Sequence, residues 1–223
     1  IVFVSMLGFG ITIVPFPVVA EQFGASPFWI TWGGTGSFAL AQVIATPALG
    51  RLSDRIGRKP VLVLGSLVAI VAYLWAAVAD SFASLLAARG LAGFASGYLS
   101  AAFAYVADIS PPQTLARRMG LLGSAFGLGF AAGPLLGGVL GQSADGSATL
   151  YGPCLFAAGL SLVGLLGTLF AIRESLVVRK PGEPAAAREA PEPIPPAART
   201  ALLGAAAAML AISSGTAALQ SLY

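Results

Sequence analysis

Gly50-Arg51-Leu52-Ser53-Asp54-Arg55-Ile56-Gly57-Arg58-Lys59-Pro60 carries four of the chain's twelve basic residues. Uncharged sequence borders it on both sides, from Gln22 to Gly50 and from Pro60 to Ala79. Each border is long enough to cross a bilayer as a helix, because about 20 residues rising about 1.5 Å each cover about 30 Å. The stretch therefore reads as a tight charged hairpin between two membrane helices. Extended along the chain, the same reading gives an all-α, polytopic membrane protein.

Composition agrees. The 223 residues are 57% hydrophobic and only 9% charged, whereas a soluble domain carries about 25% charged residues. A water-facing surface cannot be covered at that charge density. The net charge of +3 does not point to nucleic acid, since the basic residues sit between apolar helices, where they act on topology. With no histidine and with Cys154 as the one cysteine, zinc sites, His-base chemistry and intrachain disulfides are excluded. Cys154 lies in an apolar run and reads as a small packing residue. No paired intramembrane carboxylates or phosphate loop are present, so neither an enzyme nor a cofactor is expected. The opening at Ile1, already inside an apolar run, leads us to expect a few residues ahead of it and no signal peptide.

Seven spans follow in order. Span 1 is Ile1–Ala20, with Pro15 and Pro17 placed to bend it or end it early. Span 2 is about Phe28–Leu49 and span 3 about Val61–Ala79. Asp80-Ser81 makes a turn with Ser81 a candidate N-cap. Span 4 is about Phe82–Ala107 and contains Arg89. Span 5 is about Met119–Gly141 and span 6 about Leu150–Ile172. Residues 173–199, dense in charge and proline, read as a flexible linker. Span 7 is residues 200–223.

Apart from Arg89, every Lys and Arg falls in loop 2–3, loop 4–5 or the linker. The other loops hold Glu21, Asp80 and Asp145. Because Lys/Arg-rich loops are cytoplasmic, the expected topology puts the N-terminus, loops 2–3 and 4–5 and the linker inside the cell (inner) membrane. Six helices at 1–172, a linker and a further helix form the pattern of one bundle joined to the start of a second. Paired repeats of this kind bind substrate at their interface.

Three motifs sharpen this. Gly50, Leu52, Asp54, Arg55, Gly57, Arg58 and Lys59 fill a G-x-L-a-D-r-x-G-r-k pattern. Asp54 and Arg58 are four residues apart and are placed to pair. The bland alternative is a basic loop that only sets topology. Gly129, Gly133, Gly137 and Gly141 recur every fourth residue and make a bare face for close helix approach. Pro134 between them removes a backbone hydrogen bond and is expected to kink the helix. Ordinary small-residue packing is the alternative there. Arg89 is a lone charge within a span, costing at least ~2.5–3.5 kcal/mol near the bilayer centre, so it should face the bundle interior. It lies about 12 Å past Ser81 along a helix, which leaves snorkelling to the outer interface as the alternative.

The hairpin resembles the loop 2–3 signature of the major facilitator superfamily. Arg89-Gly90-Leu91-Ala92-Gly93 resembles that family's R-x-x-x-G signature in helix 4. Gly129-Phe130-Ala131-Ala132-Gly133-Pro134-Leu135-Leu136-Gly137-Gly138 resembles its antiporter signature, G-x-x-x-G-P-x-x-G-G. Gly8 to Pro17 is similar to the opening helix of the drug exporters, with Ser5 where those often carry an acid. Arg173-Glu174-Ser175 resembles the end of their helix 6. The likeness is nearest to drug:proton antiporters of the tetracycline type.

The resemblance implies a six-helix bundle plus the first helix of a second. It further implies a conformational lock of Asp54, Arg58 and Asp108, and a role for Arg89 in proton transfer or substrate charge. It implies proton-driven efflux of a small molecule by alternating access, and a second six-helix half as partner within the lipid bilayer. Spans 1 to 7 contain no Asp or Glu, so a coupling acid would belong to that second half. Rival expectations are a metabolite or sugar carrier of the same superfamily, and a non-transporting fragment.

Overall fold

A computed structural model describes residues 1–143 and 146–175. Span 7 and all but the first three residues of the expected linker lie outside the described residues. What is described is helical from end to end: α1 Val2–Ile13, α2 Pro15–Gln22, a π-helical segment Trp29–Thr35, α3 Gly36–Ile56, α4 Arg58–Ala77, α5 Phe82–Ser96, α6 Leu99–Asp108, α7 Pro112–Leu140 and α8 Tyr151–Ala171. Among the described residues four helical segments are long and apolar enough to cross a membrane, namely α4, α7, α8 and α5–α6 taken together as Phe82–Asp108, and five if the bent pair α1–α2 is one span. In the remaining segment, α3 ends in Arg51, Asp54 and Arg55, which lower its hydropathy.

The breaks have local causes. Pro15 opens α2, and the α1–α2 pair bends by 42°, since a proline ring cannot continue the preceding helix without clash. Ser81 caps α5 by accepting from Ser84 N–H at 3.3 Å, as expected. Span 4 is not one helix. It breaks between α5 and α6 at Gly97-Tyr98, where a Cβ on Gly97 would lie 2.8 Å from Ala45 Cβ. Span 5 starts earlier than the charges imply. Pro112 begins α7, so Arg117 and Arg118 are helical rather than in a loop; a proline suits the first helical position, where its missing N–H has no partner to lose. Pro134 lies inside α7, which is helical without interruption to Leu140.

α1 packs along α7, α4 along α8, and α3 along α5. One part of the core joins Val2, Met6, Leu49, Val61, Leu62 and Tyr98. Another joins Phe16, Val19, Leu85, Leu150 and Cys154. Cys154 is fully buried, in line with a packing role. Meanwhile Leu40, Val43, Val71, Leu128, Leu135, Val139 and Phe170 point outward and exposed. So many large apolar side chains facing out, with backbone groups satisfied inside helices, suit hydrocarbon rather than water.

Candidate functional site

Two arginines lie at different depths of the bundle, and their surroundings differ. The first sits at the basic hairpin. That hairpin is shorter than the sequence implies, because α3 runs to Ile56 and α4 starts at Arg58. One residue, Gly57, makes the turn at φ 109°, a conformation L side chains rarely adopt. Arg58 then enters the protein at 6% exposure. Its Nη1 donates to Asp54 Oδ1 at 2.5 Å and to Ser53 Oγ at 2.8 Å. Its Nε donates to Asp108 Oδ2 at 2.9 Å, from the last residue of α6. The three residues expected to meet do meet. The cation is buried while the Asp54 side chain is 63% exposed and that of Asp108 29%. Water therefore still solvates the anions, and the guanidinium depends on them.

A fourth residue, unforeseen in the sequence, completes this end. The Glu174 carboxylate accepts the backbone N–H of Arg58 at 2.8 Å and of Lys59 at 3.1 Å. These are among the donors a helix start leaves without intrahelical partners, and the helix dipole favours an anion there. A Cβ on Gly57 would collide with that same carboxylate. Lys59 Nζ donates to Leu169 O at 2.8 Å, so two contacts tie the end of α8 to the start of α4. The first residues of the expected linker are therefore held at Glu174. Arg55 is exposed at the end of α3, and Gly50 lies beside Ser100.

The second arginine, Arg89, is on α5. Its Nη1 donates to Thr12 Oγ1 at 2.5 Å. The guanidinium carbon stands 4.7 Å from the centre of the Phe16 ring and 5.6 Å from that of Phe9. Both lie within the range of cation–π attraction. Nε is buried and has no hydrogen-bond partner. Arg89 is engaged by side chains of α1 and α2, so the structure favours the interior orientation over snorkelling. Phe9, Thr12 and Phe16 are three and four residues apart, a helix-face spacing that the sequence carries, and they stay on one side across the α1–α2 bend to meet Arg89. Gly93, one turn on, lets the backbone of Phe38 come into contact.

α1 is held in place from its other side. Cβ atoms added at Gly129, Gly133 and Gly137 would strike the backbone of Phe3, Gly10 and Ile11 respectively. One at Gly141 would meet Pro15. The bare face of α7 is thus filled by α1, and Pro134 Cδ lies against Gly10. Gly138 points into open space and takes no part. Ser5, on α1, shares a short hydrogen bond with the Tyr98 hydroxyl at the α5–α6 break.

The model of the Major Facilitator Superfamily matches residues 1–223. The chain belongs to the major facilitator superfamily. Members of that superfamily are transporters, not enzymes. The tetracycline resistance protein, class E, of Escherichia coli is 34% identical over 177 residues, covering 78% of this chain and 42% of the relative. The class C protein of the same organism is 40% identical over 138 residues, covering 62% of this chain and 34% of the relative. Among solved structures, the human organic anion transporter MFSD10 (TETRAN) superposes with a TM-score of 0.67 at 27% identity, covering 78% of this chain and 46% of that one. The chain thus spans less than half the length of these relatives. Within this superfamily member, the described residues contain no group of side chains suited to a metal.

Proposed function

We propose that this chain forms the N-terminal half of a secondary transporter that exports a small molecule from the cell, with inward proton flow as the energy source. The observation that carries the reading is the Asp54–Arg58–Asp108 cluster, built on a superfamily motif in a chain related to tetracycline resistance proteins. A buried cation held by carboxylates from two helices is a device with two natural states, closed and broken. Breaking it would release the α3–α4 turn from α6 and let the bundle rock. The solute binds near the membrane midplane between this bundle and a second one, and rocking exposes it to each side in turn. A proton moving down about 100 mV supplies about 2.3 kcal/mol from the potential alone. The basic hairpin faces the cytoplasm of the inner membrane under the charge rule. Similarity to a human organic anion transporter keeps a charged organic solute within this reading.

The test is efflux of tetracycline or a dye from cells expressing the complete gene, with and without a protonophore. Efflux that collapses with the proton gradient is the expected result. Efflux that persists would overturn proton coupling, and none at all, with protein in the membrane, would favour a metabolite carrier or an inactive half.

A further inference from the structure

The tryptophans of the chain are Trp29, Trp32 and Trp75. All are exposed, and among the described residues Tyr151 is the exposed tyrosine. Their sequence neighbours meet in one part of the core. Ile30 and Leu150 pack there with Val19 and Leu85, and Ala76 lies against them. Trp29, Trp75 and Tyr151 therefore leave the bundle at the level of that core, and Trp32 shares the π-helical segment of Trp29. The basic hairpin is at the other end, since α8 runs from Tyr151 to meet Lys59 at Leu169. Along a helix Arg58 and Trp75 are about 25 Å apart, and Trp32 and Arg55 about 35 Å. Those lengths bracket the ~30 Å of hydrocarbon in a bilayer. Arg51, Arg55, Arg117 and Arg118 are exposed at the hairpin end.

The local chemistry places these side chains at a boundary. Phe28 meets Trp29 edge to face with ring centres 5.6 Å apart, and Trp32 at 6.5 Å. Trp29 rests on Gly33, while a Cβ at Gly34 would collide with Phe16 on the inner side. Phe16 takes the inner side of the segment, and the indoles face out. Trp75 Nε1 donates to Ser84 Oγ at 3.0 Å. Among the described residues no group accepts from the indole N–H of Trp29 or Trp32. In hydrocarbon such a donor would stay unpaired, at a cost. In water the rings would leave large apolar faces wet. The level between the two offers ester carbonyls and water to the N–H and acyl chain to the ring, and Trp and Tyr collect there. α4, which carries Trp75, packs on both α3 and α8. The exposed aromatics thus span neighbouring elements rather than forming one patch.

We infer that Trp29, Trp32, Trp75 and Tyr151 form an aromatic belt that docks this end of the bundle on phospholipid, at the glycerol–carbonyl level of one leaflet. The belt fixes the depth of this end in the bilayer and leaves the Arg58 cluster at the opposite surface.

The experiment is tryptophan fluorescence of the full chain reconstituted in phosphatidylcholine vesicles. Every tryptophan belongs to the belt, so the unaltered chain reports on it without background. The quenchers are phosphatidylcholine with a doxyl nitroxide near the top of its acyl chain, the same lipid with the nitroxide near the chain end, and aqueous iodide. The shallow nitroxide quenches at least about twofold more than the deep one, as befits indoles at the interface, and iodide quenches less than the shallow nitroxide. Trp75→Phe reads Trp29 and Trp32, the double variant Trp29→Phe/Trp32→Phe reads Trp75, and both keep the shallow preference. Circular dichroism checks that each variant remains helical; if one does not fold, the unaltered chain decides the matter. Equal or stronger quenching by the deep nitroxide would put the indoles in hydrocarbon. Iodide as the strongest quencher would put them in water, and no quenching by any of the three would mean that protein covers them. Each of these results overturns the inference, as does a different depth for Trp75 than for the other two.

Discussion

Arg58 and Arg89 are both cations inside a mostly apolar bundle, yet the chain treats them differently. Arg58 meets two carboxylates and a serine hydroxyl. Arg89 meets one threonine hydroxyl and two aromatic faces. Removing one partner of a buried ion pair is costly because the other is stranded, whereas a buried charge without a counter-ion is a burden that an apolar side chain of similar size relieves. The difference teaches that Arg58 is held by opposite charges, whereas Arg89 is held by a neutral hydroxyl and aromatic faces.

The largest effect is expected from Gly133→Leu. Its side chain must displace the backbone of Gly10 and Ile11, and overpacking of that kind costs about 3 kcal/mol or prevents assembly. Thr12 then moves away from Arg89 while the Arg58 cluster stays intact. An unchanged unfolding midpoint would show that α7 does not hold α1. Arg58→Met comes next, at about 2–3 kcal/mol, since it leaves Asp54 and Asp108 facing each other without a cation; denaturant titration of the purified chain reads it. For Glu174→Gln the expected loss is about 0.5–1 kcal/mol, from a weakened anion at a helix start, seen as faster amide exchange at Arg58 and Lys59. Smallest in stability is Asp54→Asn, within about 0.5 kcal/mol, because that side chain is largely in water. In the complete transporter the same change should slow efflux without reducing membrane insertion. Near-normal flux would reject a gating role for the hairpin.

Much of this was legible in the sequence. Uncharged runs give the spans, the spacing of four pairs Asp54 with Arg58, and the family resemblance adds Asp108 to them. The Gly face of α7 follows from a repeat of four, although sequence does not say that α1 is what fills it. What escaped has physical reasons. Glu174 acts on backbone N–H groups more than a hundred residues earlier, and backbone donors carry no residue signature. A hint existed, since an acid just past the last apolar turn of span 6 lies on the basic side. The break at Gly97-Tyr98 depends on how closely α3 approaches, a tertiary demand that overrides an apolar pattern. Arg117 and Arg118 were read as loop because charge marks where a span leaves the membrane, not where a helix starts.

The contrast between the two arginines is tested most directly by unfolding Arg58→Met and Arg89→Met side by side in the same detergent. Arg58→Met should lower the unfolding midpoint clearly, while Arg89→Met should leave it unchanged or raise it. If Arg89→Met falls as far as Arg58→Met, the contacts of Arg89 with Thr12, Phe9 and Phe16 satisfy it fully and the contrast between the two arginines fails.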